Sequence, residues 1–166
     1  MGAFTLKHGT VTGQDGAGSP VTKTLTPGAG NFQHGELQAG CVESQPLYNR
    51  GTYVESTEGQ QQAIDFSIEL WQDGKITGSA GATASPADLV MKKGDLVAGT
   101  TTDPSGTGGV WMVTIILVMT RNGVSSTCTL TNCRCKWSFG EDAAANKISI
   151  SGTAYGTGST LPVVWS

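Results

Sequence analysis

Four cysteines and two histidines are the residues of this sequence with the widest chemical repertoire. Cys133-Arg134-Cys135 sets two thiols two residues apart, with Cys128 close by and Cys41 remote. In a strand that spacing puts both thiols on one face, whereas a structural zinc site wants Cys-x-x-Cys pairs at turn-like spacing. Cys133 and Cys135 share their face with Trp137 and Phe139, which predicts free, buried thiols behaving as small apolar side chains. Geometry leaves a Cys128–Cys133 disulfide open, and a reducing compartment argues against it. His8 and His34 stand in strand-like or turn contexts, outside any triad or His-Glu-x-x-His motif. Gly28-Ala29-Gly30 begins like a dinucleotide fingerprint, but Gln33 occupies the third glycine position and no helix follows. No two carboxylates are singled out as a glycosidase pair. The expectation is a non-enzymatic protein with no catalytic residue, metal ligand or cofactor.

The elements that position these residues read as strands. Residues 3–12 and 21–26 form two, separated by the turn-rich Asp15-Gly16-Ala17-Gly18-Ser19-Pro20. Ile64, Phe66, Ile68 and Leu70 alternate with Asp65, Ser67 and Glu69, a half-buried strand of period two. Asn122-Gly123 predicts a two-residue type I′ hairpin. Pairing outward from it sets Leu117 opposite Cys128 and Ile115 opposite Leu130, with Trp111, Val113 and Met119 on the same core-facing side. The other face of this hairpin carries Thr114, Ile116 and Val118 against Thr127 and Thr129. It is uncharged where an antiparallel sheet normally meets water with charge, so it meets either a helix or a neighbouring subunit. Residues 133–139 and 147–153 supply two further strands. One short helix is expected over about residues 86–93, capped by Ser85, with Pro86 in its first turn and Lys92 and Lys93 in its last. Residues 35–62 read as a long polar loop with one strand-like stretch around 47–54, and loops of that length are functional or disordered.

Length and composition fit one domain. At 166 residues the chain has no room for a second full-sized unit, and it can bury roughly 70% of its unfolded surface without a disulfide. Twenty-four glycines and a charged fraction of only 14%, against about 25% ordinarily, favour short strands joined by tight turns. Sparse charge also suggests a surface covered by partners. A net charge of −3 argues against a basic nucleic-acid-binding surface. Residues 1–30 hold no signal-peptide core and residues 110–119 are too short to span a membrane. Cytoplasmic synthesis with reduced cysteines is the expectation.

Several stretches then recur in a familiar order. Phe4-Thr5-Leu6-Lys7-His8-Gly9-Thr10-Val11-Thr12 leads into Asp15-Gly16-Ala17-Gly18, and Arg50-Gly51 sits mid-chain. Cys128-Thr129-Leu130-Thr131-Asn132-Cys133-Arg134, Trp137-Ser138-Phe139-Gly140-Glu141-Asp142 and Asn146-Lys147-Ile148-Ser149-Ile150-Ser151-Gly152-Thr153-Ala154-Tyr155-Gly156 follow. This succession resembles the major tail tube proteins of siphophage-type bacteriophages over nearly the whole chain, although Asp142 stands where many relatives have Gly. The resemblance implies a mainly β protein, a single-domain antiparallel β-sandwich or barrel flanked by one short helix. It implies hexameric rings that stack into a tube conducting DNA during ejection.

On that resemblance residues 1–156 form the tail-tube domain. Residues 157–166 form a C-terminal tail, its polar link followed by apolar Leu161, Val163, Val164 and Trp165, which dock on a neighbouring subunit. The loop of residues 35–62, with Glu43, Arg50, Glu55 and Glu58, is placed against the adjacent ring. If the strand of residues 64–70 lines the lumen, Asp65 and Glu69 form a carboxylate girdle that keeps DNA phosphates from sticking. The implied partners are copies of the chain itself and other tail proteins (tape measure, terminator, baseplate or tip). DNA passes without specific binding and no membrane is involved. The implied location is the virion tail, assembled in the host cytoplasm. The alternative is a virion decoration or glycan-binding β-sandwich module using exposed Tyr48, Tyr53 or Trp71.

Overall fold

Alternation of apolar and polar residues dominates the architecture. The computed structural model describes residues 9–14, 22–25, 27–72, 90, 111–141, 143, 146–157 and 160–166. Strands β1 (Thr10–Gln14), β2 (Thr22–Leu25), β3 (Pro27–His34), β4 (Val42–Asn49) and β5 (Thr52–Gln61) fill the first part of the chain. Then come β6 (Ile64–Trp71), β7 (Val113–Arg121), β8 (Val124–Gly140), β9 (Lys147–Ala154) and β10 (Val163–Trp165). Eight of them form one antiparallel sheet in the order β2-β1-β7-β8-β9-β6-β3, with β10 added beside β8, and β4 and β5 form a separate two-stranded sheet. The large sheet curls into a half-barrel. The protein is therefore mainly β and antiparallel. Of the expected helix over residues 86–93 only Val90 lies among the described residues, where it is helical and packs against the core.

The hairpin expected at Asn122-Gly123 is present. Both residues take positive φ, 49° and 77°, as a type I′ turn requires, and Leu117 pairs with Cys128 and Ile115 with Leu130. One face of the sheet is consistently buried. Ile64, Phe66, Ile68 and Leu70 of β6 meet Val113, Ile115 and Leu117 of β7, together with Ile148 and Ile150 of β9. A slip of one residue in any pairing would turn such a set outward, so the shared core fixes the register.

Strand β8 runs for 17 residues where two strands were expected. Its inward residues change phase at Asn132: Cys128 and Leu130 face the core before it, Cys133 after it. The register against β7 shifts at the same place, between Val113 and Ile115. Asn132 is buried with φ 47°, a left-handed conformation that Asn tolerates better than most residues. This bulge joins the two expected strands into one.

One further expectation is corrected. Residues 35–62 are mostly a β-hairpin, β4 and β5, turning at Arg50-Gly51 with φ of 49° and 81°. Thr157 and Thr160 exchange both backbone hydrogen bonds, 2.8 and 2.9 Å. The Gly28-Ala29-Gly30 stretch lies within β3 rather than in a nucleotide-binding turn.

Close strand contact explains one glycine. A Cβ at Gly152 would meet the backbone carbonyl oxygen of Arg134 on β8, an atom that cannot swing aside. Gly152→Ala is expected to destabilise the protein by about 1–3 kcal/mol through overpacking, seen as a lower urea midpoint with an unchanged slope. Unchanged stability would mean that β8 and β9 lie further apart than described.

Candidate functional site

The outward face of the sheet divides into two parts of different chemistry. On β6, β9 and β8 the register sets Asp65 beside Thr153 and Arg134, Ser67 beside Ser151 and Lys136, and Glu69 beside Ser149 and Ser138. Asp65 is exposed, and its Oδ1 accepts a 2.6 Å hydrogen bond from the Thr153 hydroxyl. Glu69 lies diagonally from Lys147, and their charged atoms approach to 3.3 Å as an ion pair without hydrogen-bond alignment. Glu69 and Asp65 thus share this face with three cations, Lys147, Arg134 and Lys136. The two carboxylates expected in a girdle thus both stand on the outward face. Each carboxylate has a partner on β9, and cations outnumber carboxylates three to two.

The second part, on β1, β7, the first half of β8 and β10, carries no charge among the described residues. Thr12, Ile116, Thr129 and Val164 stand in one row and Thr10, Val118 and Thr127 in the next. Val90 packs on the core side of the sheet, so the helical residue does not cover this outer face.

The β4–β5 hairpin stands as an arm. Among the described residues it pairs with no other strand, and nearly every residue of both strands is exposed. Leu47, Tyr48, Tyr53 and Val54 are among the large apolar side chains left in water, Tyr48 at 65% exposure. Tyr48 and Tyr53 pair edge to face across the strands, with ring centroids 6.2 Å apart. Of the residues expected to stack against another ring, Glu43, Glu55 and Glu58 lie along the arm and Arg50 in its turn. Cross-strand partners place Glu58 opposite Ser44 and Glu55 opposite Leu47, so these two carboxylates leave by opposite faces of the arm.

The C-terminal residues expected to dock on a neighbour are Leu161, Val163, Val164 and Trp165. In this chain they add β10 to β8 of their own sheet, Val163 opposite Leu130 and Trp165 opposite Cys128. Val163 is buried in the chain's own core, while Leu161, Val164 and Trp165 stay 37–44% exposed. Trp165 Nε1–H donates to Nε2 of His34 at 3.3 Å, and Nδ1 of the same ring donates to the Gly35 carbonyl at 2.7 Å. Strands β3 and β10 are not sheet neighbours. The contact therefore ties the two sides of the curl together and occupies the only histidine among the described residues.

The cysteines are free thiols. Burial pushes the thiols of Cys128 and Cys135 up to about 12. Cys133 is raised well above its ordinary range, chiefly by burial and then by the neighbouring Cys135. Such thiols stay protonated and are poor nucleophiles. Among the described residues no group of three His, Cys, Asp or Glu side chains is placed to hold a metal ion, and no helix is long and apolar enough to cross a membrane. Comparison with family profiles, with curated proteins and with solved structures finds no match to this chain. Sequence reasoning missed the roles of Arg134, Lys136 and Lys147. Alternation already turned the first two outward, but which carboxylates they would sit beside depends on the β8–β9–β6 register.

Two predictions follow from these environments. Raised thiols hold their protons in the folded chain and release them on unfolding, so their contribution to stability is complete below about pH 8.5 and lost as pH rises toward 12. The urea midpoint is expected to fall between pH 8 and 10.5, and to fall less in a Cys128→Ala/Cys135→Ala variant. Equal falls would show that the thiols are accessible. Glu69→Lys sets two ammonium groups diagonally across β6 and β9 and is expected to destabilise by about 1 kcal/mol, while Glu69→Gln loses less. If thermal unfolding ranked the two variants the other way, the ion pair would not be a stabilising contact.

Proposed function

We propose that this chain is a non-enzymatic structural subunit of a phage virion, of the tail-tube kind. Its copies assemble into stacked, hexameric rings that conduct DNA, alongside other tail proteins. The observation that carries the reading is the β4–β5 arm. A two-stranded hairpin is marginal in water without a surface to pack on, and this one holds Leu47, Tyr48, Tyr53 and Val54 exposed along with most of its backbone length. An arm of that kind fits a chain completed by a second protein surface. The low charge of 14% and the uncharged outer face of β1, β7 and β10 point the same way, since isolated soluble subunits cover such faces with charge. Among the described residues β2 and β3 are the outermost strands, and such edges suit a sheet closed by copies of itself. The sharing of the β6–β9–β8 face by Asp65, Glu69 and three cations removes acid repulsion as support for the conduit. The DNA-conducting role rests on the order of motifs along the chain.

The test is assembly of the purified full chain. Concentrated protein is expected to sediment as rings and tubes and to show stacked rings by negative-stain microscopy. A stable monomer at high concentration would overturn the reading. Sugar binding by that monomer, lost on changing Tyr48, Tyr53 or Trp71, would favour the glycan-binding alternative.

A further inference from the structure

We infer that the arm of one copy lies along the outward face of β8 in a second copy, with the tyrosine pair on the uncharged half and Glu58 on the basic half. The inference rests on the reading that the chain assembles with itself, and it names the two surfaces that meet. One face of the arm carries Tyr48 and Tyr53 toward the turn and Glu58 toward the base, with Pro46, Ser56 and Ser44 between them. That face is apolar at one end, acidic at the other and uncharged in the middle.

The outward face of β8 has the complementary order. Thr127 and Thr129, flanked by Ile116 of β7 and Val164 of β10, make its uncharged end, and Arg134 and Lys136 make its basic end. Arg134 and Lys136 are exposed and enter no ion pair among the described residues. Their nearest carboxylate rows are already committed, Asp65 to Thr153 and Glu69 to Lys147. Spacing agrees as well. Tyr53 to Glu58 and Thr129 to Arg134 are each five residues of strand with one bulge, four ladder steps or about 13 Å at roughly 3.3 Å per residue.

The chain's own arm does not fill this role, because its tyrosines and Glu58 are exposed in the single subunit. The helical Val90 lies on the opposite side of the sheet. A second copy supplies an arm of the right polarity and length to a face otherwise left uncharged in water. Burying the tyrosines on Ile116 and Val164 removes apolar surface from both copies, and the carboxylate–cation contact fixes which way the arm points.

Charge exchange between two variants tests the contact. Glu58→Lys alone and Arg134→Glu/Lys136→Glu alone change exposed side chains. Each should give a folded subunit by circular dichroism, with the concentration for half-assembly raised more than about tenfold by like-charge contacts. A one-to-one mixture should co-assemble near the wild-type concentration, since each arm then meets a face of opposite sign. Assembly of either variant at the wild-type concentration would overturn the inference, as would a mixture no better than its parts. Failure of the wild type itself to assemble would reject the self-assembly reading, a separate result from wild-type assembly that ignores these charges.

Discussion

Strand β8 is the constraint on which the rest of the structure depends. It pairs with β7 along its first half, with β9 along its second, and with β10 on the side continuous with β9. Strands β7 and β9 pair with it directly, and β1 and β6 join the sheet through those two. A strand of 17 residues with unbroken alternation would send either Leu130 or Cys133 outward, because they are three positions apart. The extra residue at Asn132 resolves this by shifting the phase once. It also adds local bend and twist, which suits a sheet that curls around its own apolar face. The His34–Trp165 contact then joins β3 to β10 across that curl.

On either side of β8, the inside and outside of the sheet follow different rules. Inside, Leu130, Ile115, Ile148 and the three buried or half-buried thiols exclude charge, and the thiols stay neutral. Outside, the chain does not use one uniform solvent surface. The half nearest β6 and β9 carries small hydroxyls with charges of both signs, cations in slight excess, and its Glu69–Lys147 ion pair contributes little in water. The half nearest β1 and β7 carries threonine and branched aliphatic residues. Such a division has no value for the stability of a lone subunit, where interspersed charge on both halves would keep it apart from its copies.

What could be read from the sequence was what local pattern determines. Residues 64–70 and 113–119 were legible because one face is buried and the other is not, so polarity alternates sharply. The hairpin at Asn122-Gly123 was legible because the turn chemistry is local. The arm was not. Both of its faces are exposed, so its sequence has no contrast between faces, and its tight turn is written as Arg50-Gly51 rather than Asn-Gly. The short β10 offered only Val163 as a fully buried residue. The meaning of Asp65 and Glu69 lay beyond any local reading, since it depends on Arg134, Lys136 and Lys147 arriving from strands far along the chain.

The arm is where local folding stops being self-sufficient. Ordering each residue of a hairpin costs about 1–2 kcal/mol of backbone entropy, and in the main sheet burial of Ile and Leu side chains offsets that cost. In β4 and β5 the burial is almost absent. Cross-strand pairs such as Tyr48 with Tyr53 contribute only about 0.5–1.5 kcal/mol each. A tight turn with Arg50 in the left-handed region adds strain rather than relief, because a side chain there is disfavoured relative to glycine. The arm's order and its contact with another surface are therefore one thermodynamic quantity. Whatever packs on Tyr48 and Tyr53 stabilises the hairpin by the same free energy with which the preformed hairpin strengthens that packing. Under the proposed self-assembly, this linkage would make each added copy the agent that completes the fold of its neighbour.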